Sequence, residues 1–497
     1  MARRAGAAFA TVLTTGLILA ANTGLADVTA EQVWQSWAKQ YETYGYTVST
    51  DSIDKSGDTL VISGLGLEQR LDDSSMTLTL PEMRLREQGD GTVEVSFAQK
   101  FDGLATSQMP GEPAFSLAMK MRQAGMHVIV SGAPEQMNYD VTMPEFVAEM
   151  DQSVSGGDVQ VPVKLWLSMS GGKGSYQITE GAVQDTVSQM KLGGLRMTMS
   201  GADPQSGDVF SLESDFVDLD LESRMSLPAG VSMNDLGAAL EAGAAVSFDL
   251  SYGQSKTQMN VETEQDGIQF ASATQSGDLR FAMSGAELAY SGKAEGVSVD
   301  AMSQAFPLPV SASLGAAEFA FKLPVVPAAE ASPFTGKVAL RDLAVSEELW
   351  GMVDPMAQLP HTPATLVVDL SGTARASMNL FSAEAAQQQV PPINVETLNI
   401  NAIDLSLAGA RLSGDGLMDI DNTMGIPMPL GQVTLRLEGA NALMNSLVAM
   451  GLLPEDQVMF ARMMLGLYAV PVGDDALESR IEMKEGGEIL ANGQRIQ

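Results

Sequence analysis

The nearest approach to a reactive constellation in this sequence is a set of three carboxylates. Asp218, Asp220 and Glu222 alternate with Val217, Leu219 and Leu221, and the period of two in a strand sends all three to one side. Their oxygens suit a hard cation. A calcium loop, however, must curl around its ion and add backbone carbonyls, which a straight strand does not do, so a solvated face is expected. Asp415, Asp419, Asp421 and Asn422 come closer to a loop pattern but lack the glycine and closing glutamate spacing of an EF-hand. Residues 170–175 read SGGKGS, which lacks the first glycine of a phosphate loop at the necessary distance. A hairpin turn between Leu167 and Tyr176 is expected there instead. The sequence holds no Gly-x-Ser-x-Gly elbow, no His-Glu-x-x-His pair and no dinucleotide fingerprint. Cysteine is absent and there are only two histidines, His127 and His361, which removes thiol catalysis, thiolate metal sites and a histidine-rich centre. No catalytic residue, metal or cofactor is assigned, and a non-enzymatic protein is expected.

The elements that would position any site are mostly strands. Val93, Val95 and Phe97 alternate with polar residues after an Asp90-Gly91 turn, and Val246, Phe248, Leu250 and Tyr252 repeat the pattern. Asp266-Gly267 marks another hairpin. Ser-Gly pairs recur at Gly64, Gly132, Gly171, Gly201, Gly285, Gly372 and Gly414 at irregular intervals, where glycine is expected to bend or bulge long strands. Residues 29–45 read as one amphipathic helix: Thr29 and Gln32 form a capping box, Val33, Trp34, Trp37, Tyr41 and Tyr44 share a face, and Gly45 ends it. Further helices are expected over 234–243, 441–450 and 454–468, with a terminal hairpin after them. Prolines between Phe306 and Phe334 suggest a crossover, with a soft boundary near residue 325. The expected fold is mainly β: long twisted antiparallel sheets forming an open groove or a sandwich, with short helices at the N-terminus, the crossover and the C-terminus.

Composition narrows the setting. Hydrophobic residues make up 45% and charged residues 18%, which describes a folded chain long enough for two sections, 27–325 and 326–497. Net charge is −34, so nucleic acid is an improbable partner and anionic lipid offers no electrostatic attraction. Arg3 and Arg4, the apolar stretch to Ala21 and the small residues Gly24 and Ala26 read as a secretory signal peptide, residues 1–26, cut before Asp27. No later hydrophobic run reaches membrane-spanning length. Periplasmic localisation without stable membrane insertion, and without nucleotide partners, is the expectation. The 31 methionines either fill cores or line a pliable apolar surface.

Residues 348–372 read ELWGMVDPMAQLPHTPATLVVDLSG, with Leu349-Trp350, Asp354-Pro355 and Leu359-Pro360 in order. Together with the VTAEQVWQSW helix they resemble a secreted family of alphaproteobacterial type, domain of unknown function family 2125. His361-Thr362 stands where that pattern carries a basic residue followed by an acid. The resemblance implies no activity; Leu349, Trp350, Asp354, Pro355, Leu359 and Pro360 become the candidate structural or binding motif, with Trp350 expected to be buried. The C-terminal end, two helices and then a charged hairpin ending GGEILANGQRI, is similar in pattern to AsmA-like and YdgA-like (DUF945) periplasmic proteins, which are associated with long sheets and phospholipid traffic. The leading expectation is an envelope-maintenance protein that binds a lipid or apolar segment, or an envelope protein, on a β groove. A periplasmic interaction scaffold is the alternative, ahead of an outer-membrane barrel, which 6% aromatic content disfavours, and a hydrolase needing an acid pair brought together by folding.

Overall fold

The computed structural model describes residues 27–497 apart from 72, 109–112, 156–161, 204–205, 232–234, 265, 306–308, 389–391 and 424–426. The expected signal segment, Asn234 and Phe306 therefore lie outside the described residues. Strands account for 64% of the chain and helices for 13%, which makes the fold mainly β as the alternation implies. The chain divides into two units, one from the described residues of 1–272 and 303–307, the other from 273–302 and 308–497. Val325, at the position of the expected soft boundary, is fully buried within the second.

The first unit is an antiparallel sheet of very long strands. Gln136–Ser155, Val163–Thr179, Val183–Ala202 and Val209–Pro228 lie side by side in sequence order. Shorter strands pair end to end along the long ones: Ser74–Glu87 takes Val93–Phe97 along one half and Lys100–Ser107 along the other. The hairpin expected at residues 170–175 is not there. Val163–Thr179 runs straight through, with Ser170 opposite Glu145 on one side and Gly194 on the other. Gly171 takes up the irregularity at φ 65°, a backbone that only glycine adopts cheaply. Local composition suggested a turn, and pairing on both sides overrode it.

One helix, α1 (Ala30–Thr43), covers the apolar face at one end of this sheet. Its start is the expected capping box, with Thr29 Oγ1 accepting from the Gln32 amide and the Gln32 side chain accepting from the Thr29 amide. Gly45 follows at φ 86°. Val33, Trp34 and Trp37 are buried against Ile62, Met83, Leu85, Val95 and Val130. Trp37 stacks on Phe97 at 6.1 Å and on Tyr139 at 6.0 Å, and Tyr139 stacks on Tyr176 at 3.9 Å. Burial pushes the Tyr139 hydroxyl up to about 12 and Tyr176 well above the ordinary value, so both rings are neutral core members at physiological pH. Further along the same unit, Met119, Met150, Leu165, Met199, Leu212 and Met259 form one cross-strand row. Met119 and Met169 fill the core of this unit, whereas Met197 is exposed.

The second unit is an antiparallel meander. Ser276–Met283, Leu288–Ser303, Val310–Leu323, Ser332–Val345, Ala364–Ala376, Ile393–Leu407, Ala410–Asp421, Met428–Glu438 and Ala476–Met483 pair in that order. The proline-containing stretch 324–331 joins two directly paired neighbours. Among the described residues, this unit holds three α-helices: α2 (Glu347–Val353), α3 (Ala440–Ala449) and α4 (Glu455–Tyr468). The expected helix near residue 240 forms in the first unit as Leu236–Glu241, capped by Asp235. Among the described residues, no helix is long and apolar enough to cross a membrane.

Candidate functional site

Register turns the alternating sequence of the second unit into a surface. Phe281, Tyr290, Phe321, Gly336, Leu370, Ile400, Gly416, Val433 and Ile481 are successive cross-strand partners, a row without a charged residue. A second row runs Ala317, Leu340, Leu366, Leu405, Leu412, Leu437 and Leu477. Between them lie Phe319, Val338, Val368, Ile403 and Leu435. Residues two apart along a strand share a face, and a bulge between Ile400 and Ile403 keeps both isoleucines on it. The opposite face is charged, as shown by Lys337 bridging Glu318 at 2.7 Å and Arg411 paired with Asp404 at 2.9 Å.

This apolar face lacks the cover that α1 gives the first unit. Val338 is 48% exposed, Leu405 44% and Phe321 43%. All three clusters of buried apolar residues found among the described residues lie in the first unit. In the second, the buried apolar side chains are mostly alanines, with Val325, Leu359, Val367, Met418 and Val458 as the larger ones. A contiguous apolar surface of this extent is the usual mark of an interaction site.

The candidate motif sits at one end of that face. A cavity of about 350 Å³ is lined by Leu343, Leu349, Trp350, Val353, His361 and Leu407, among others. Leu407 follows Leu405 by two residues and Ala364 precedes Leu366 by two, so the cavity continues the second apolar row. Trp350 is half-buried rather than buried, because α2 buries none of its residues. Its ring instead stacks on His361 at 4.3 Å and 7°. Leu349 lines the same cavity, Leu359 is buried, Pro355 is exposed, and Pro360 packs against the Gly409 turn.

Asp354 holds the segment together. Its carboxylate is fully buried and accepts from the Gln358 amide at 2.8 Å and the Leu359 amide at 2.6 Å. His361 Nε2 lies 3.6 Å from Asp354 Oδ2, too far for a hydrogen bond, while Nδ1 is 3.1 Å from Glu347 Oε2. Burial alone would raise the Asp354 carboxyl, but the two amides and the imidazole outweigh it and hold it below the ordinary range. The stabilisation is therefore complete above about pH 4, the unfolded value, and fades as pH falls through the lower folded value. Asp354→Ala is expected to speed amide exchange at Gln358 and Leu359 by roughly tenfold or more at pH 7, because both donors lose their acceptor. Unchanged protection by mass spectrometry would remove Asp354 from this role.

His361 and Glu347 are the members the motif reading missed. The available signal was that one of only two histidines directly follows the Leu359-Pro360 pair. The strand acids do not assemble into a site: Asp220 pairs with Lys191, Glu222 accepts from Gln189, and Asp218 adopts φ 53°. Among the described residues, no group of three or more histidine or acidic side chains is placed to hold a metal ion.

No curated protein matches the chain in sequence. The family described as "Uncharacterized protein conserved in bacteria (DUF2125)" matches residues 231–491, the greater part of the second unit included. That match spans more than half of the chain, and the protein belongs to this bacterial family.

Proposed function

We propose that this protein is a non-enzymatic component of the bacterial envelope, exported to the periplasm, that holds lipid acyl chains along the apolar face of its second unit. The observation carrying the reading is the set of charge-free cross-strand rows, from Phe281 to Ile481 and from Ala317 to Leu477, with Tyr290, Phe319, Phe321, Val338, Leu366 and Leu405 exposed to solvent among them. Burying apolar surface gains about 25 cal/mol per Å², and acyl chains are extended, flexible and without hydrogen-bonding demands, which suits a long face that offers none. The cavity at Trp350 closes one end of the face with apolar walls. The reading assigns no reaction, since the buried Asp354 oxygens are already engaged by backbone amides.

Protein released without detergent is expected to carry phospholipid or fatty acid at fixed stoichiometry in native mass spectrometry, recoverable by organic extraction. A lipid-free protein that also takes up no apolar fluorophore would reject acyl-chain binding and favour an interaction scaffold.

A further inference from the structure

The helical hairpin α3–α4 is held to the second unit by polar contacts at its ends, while the middle of α4 faces outward with apolar side chains. Asp475 caps α3 from across the sheet end, accepting from the Asn441 and Ala442 amides at 2.9 Å each. Arg462 on α4 reaches back to Asn441 at 2.9 Å and Asn445 at 2.7 Å on α3. At the far end, the Tyr468 carbonyl accepts from Ser479 Oγ at 2.6 Å and Asn492 Nδ2 at 3.0 Å. The hairpin is thus fixed in place.

What it presents is a stripe. Met459, Phe460, Met463 and Leu467 fall within one third of the α4 circumference at 100° per residue and are 70%, 59%, 56% and 59% exposed. Val458 is the one buried residue of α4. Acids occur only in the first turn, at Glu455 and Asp456, and the single cation, Arg462, is engaged by α3. The chain then returns to the edge of the apolar sheet: α4 leads into Val470–Gly473, whose Pro471 pairs with Leu477 at the end of the leucine row.

We propose that α4 docks on the surface of a lipid bilayer of low net charge and so places the end of the acyl-binding face at the membrane. A second copy of the chain is the poorer occupant. A helix of this length is about 21 Å long and about 10 Å wide, so its exposed side offers on the order of 200 Å², against roughly 800 Å² per partner in stable protein interfaces. A bilayer has no such threshold; a short helix with Phe, Leu and Met on one side can sink that side into the headgroup boundary. The acidity of the chain, −34 overall, directs it to zwitterionic rather than anionic surfaces.

This inference rests on the acyl-binding reading, and the two fail separately. The full chain lacks cysteine, so Met463→Cys accepts a single environment-sensitive fluorophore, with exposed Lys100→Cys as the control. Phosphatidylcholine vesicles should shift the emission at position 463 to the blue and leave position 100 unchanged. Adding one part phosphatidylglycerol in about four should weaken the response. Met459→Glu with Phe460→Glu, in otherwise unchanged exported protein, should reduce vesicle partitioning by roughly tenfold or more while apolar-fluorophore uptake persists. No shift on vesicles, or a shift that instead follows a concentration-dependent dimer in light scattering, would overturn docking whatever the sheet binds. Absence of fluorophore uptake by the unmodified protein would count against the acyl-binding face itself.

Discussion

Trp37→Ala is expected to cost about 3 to 5 kcal/mol in urea denaturation, the range for large aromatic truncations in packed cores. Trp37 is 5% exposed and sits between Phe97 and Tyr139, with the Tyr139–Tyr176 pair behind it. Removing the indole leaves a void that the flanking rings cannot fill, since they are fixed on two different strands, Val93–Phe97 and Gln136–Ser155. It also removes the principal ring by which α1 grips the sheet. Trp350→Ala should cost less than this, because its ring is half-buried and contacts His361 beside an open cavity. A larger loss at Trp350 than at Trp37 would place the core of this protein in the wrong unit.

That ranking reverses the emphasis of the sequence, which singles out Trp350 because it stands in a family-like motif. The difference shows what local signals carry. The Thr29–Gln32 capping box, the tryptophan face of α1 and the alternation of Leu477 and Ile481 depend on neighbours within a few residues and are legible directly. The SGGKGS segment reads as a turn because glycine and serine favour turns locally, yet Val163–Thr179 passes through it since partners on both sides supply ladder hydrogen bonds. Alternation says that Val338 and Leu405 each point to one side; only register reveals that their rows join into one surface across the meander. Nor does pattern say whether a face is covered. The 31 methionines leave core and surface equally open in the sequence, whereas the uncovered apolar face of the second unit is built from leucine, isoleucine, valine and phenylalanine. The Asp354–His361–Glu347 cluster was hidden for a similar reason, as it forms only when the chain returns after α2.

Val338→Asp with Leu405→Asp should abolish acyl-chain retention while leaving the fold intact. Both residues lie on the apolar face, in adjoining rows, and are 48% and 44% exposed in the free protein. Both sites lie outside any buried cluster, so each aspartate should cost on the order of 1 kcal/mol through its poor strand propensity, lowering the urea midpoint modestly and leaving the circular dichroism unchanged. Binding is affected differently. A carboxylate beneath a bound acyl chain must lose its water without gaining a hydrogen bond, which costs several kcal/mol or keeps the chain away, and two of them should lower retention by roughly a hundredfold or more. Leu417→Asp is the matched control. Leu417 belongs to the same sheet and is 67% exposed, but it projects from the opposite face, opposite Asn399 and Gln432. Added charge alone would reduce retention in both variants, whereas a site on the apolar face requires loss in the Val338–Leu405 double variant and none in Leu417→Asp. Equal retention in the double variant and the unmodified protein would overturn the placement of the ligand over Val338 and Leu405, where the new carboxylates stand at the middle of the face.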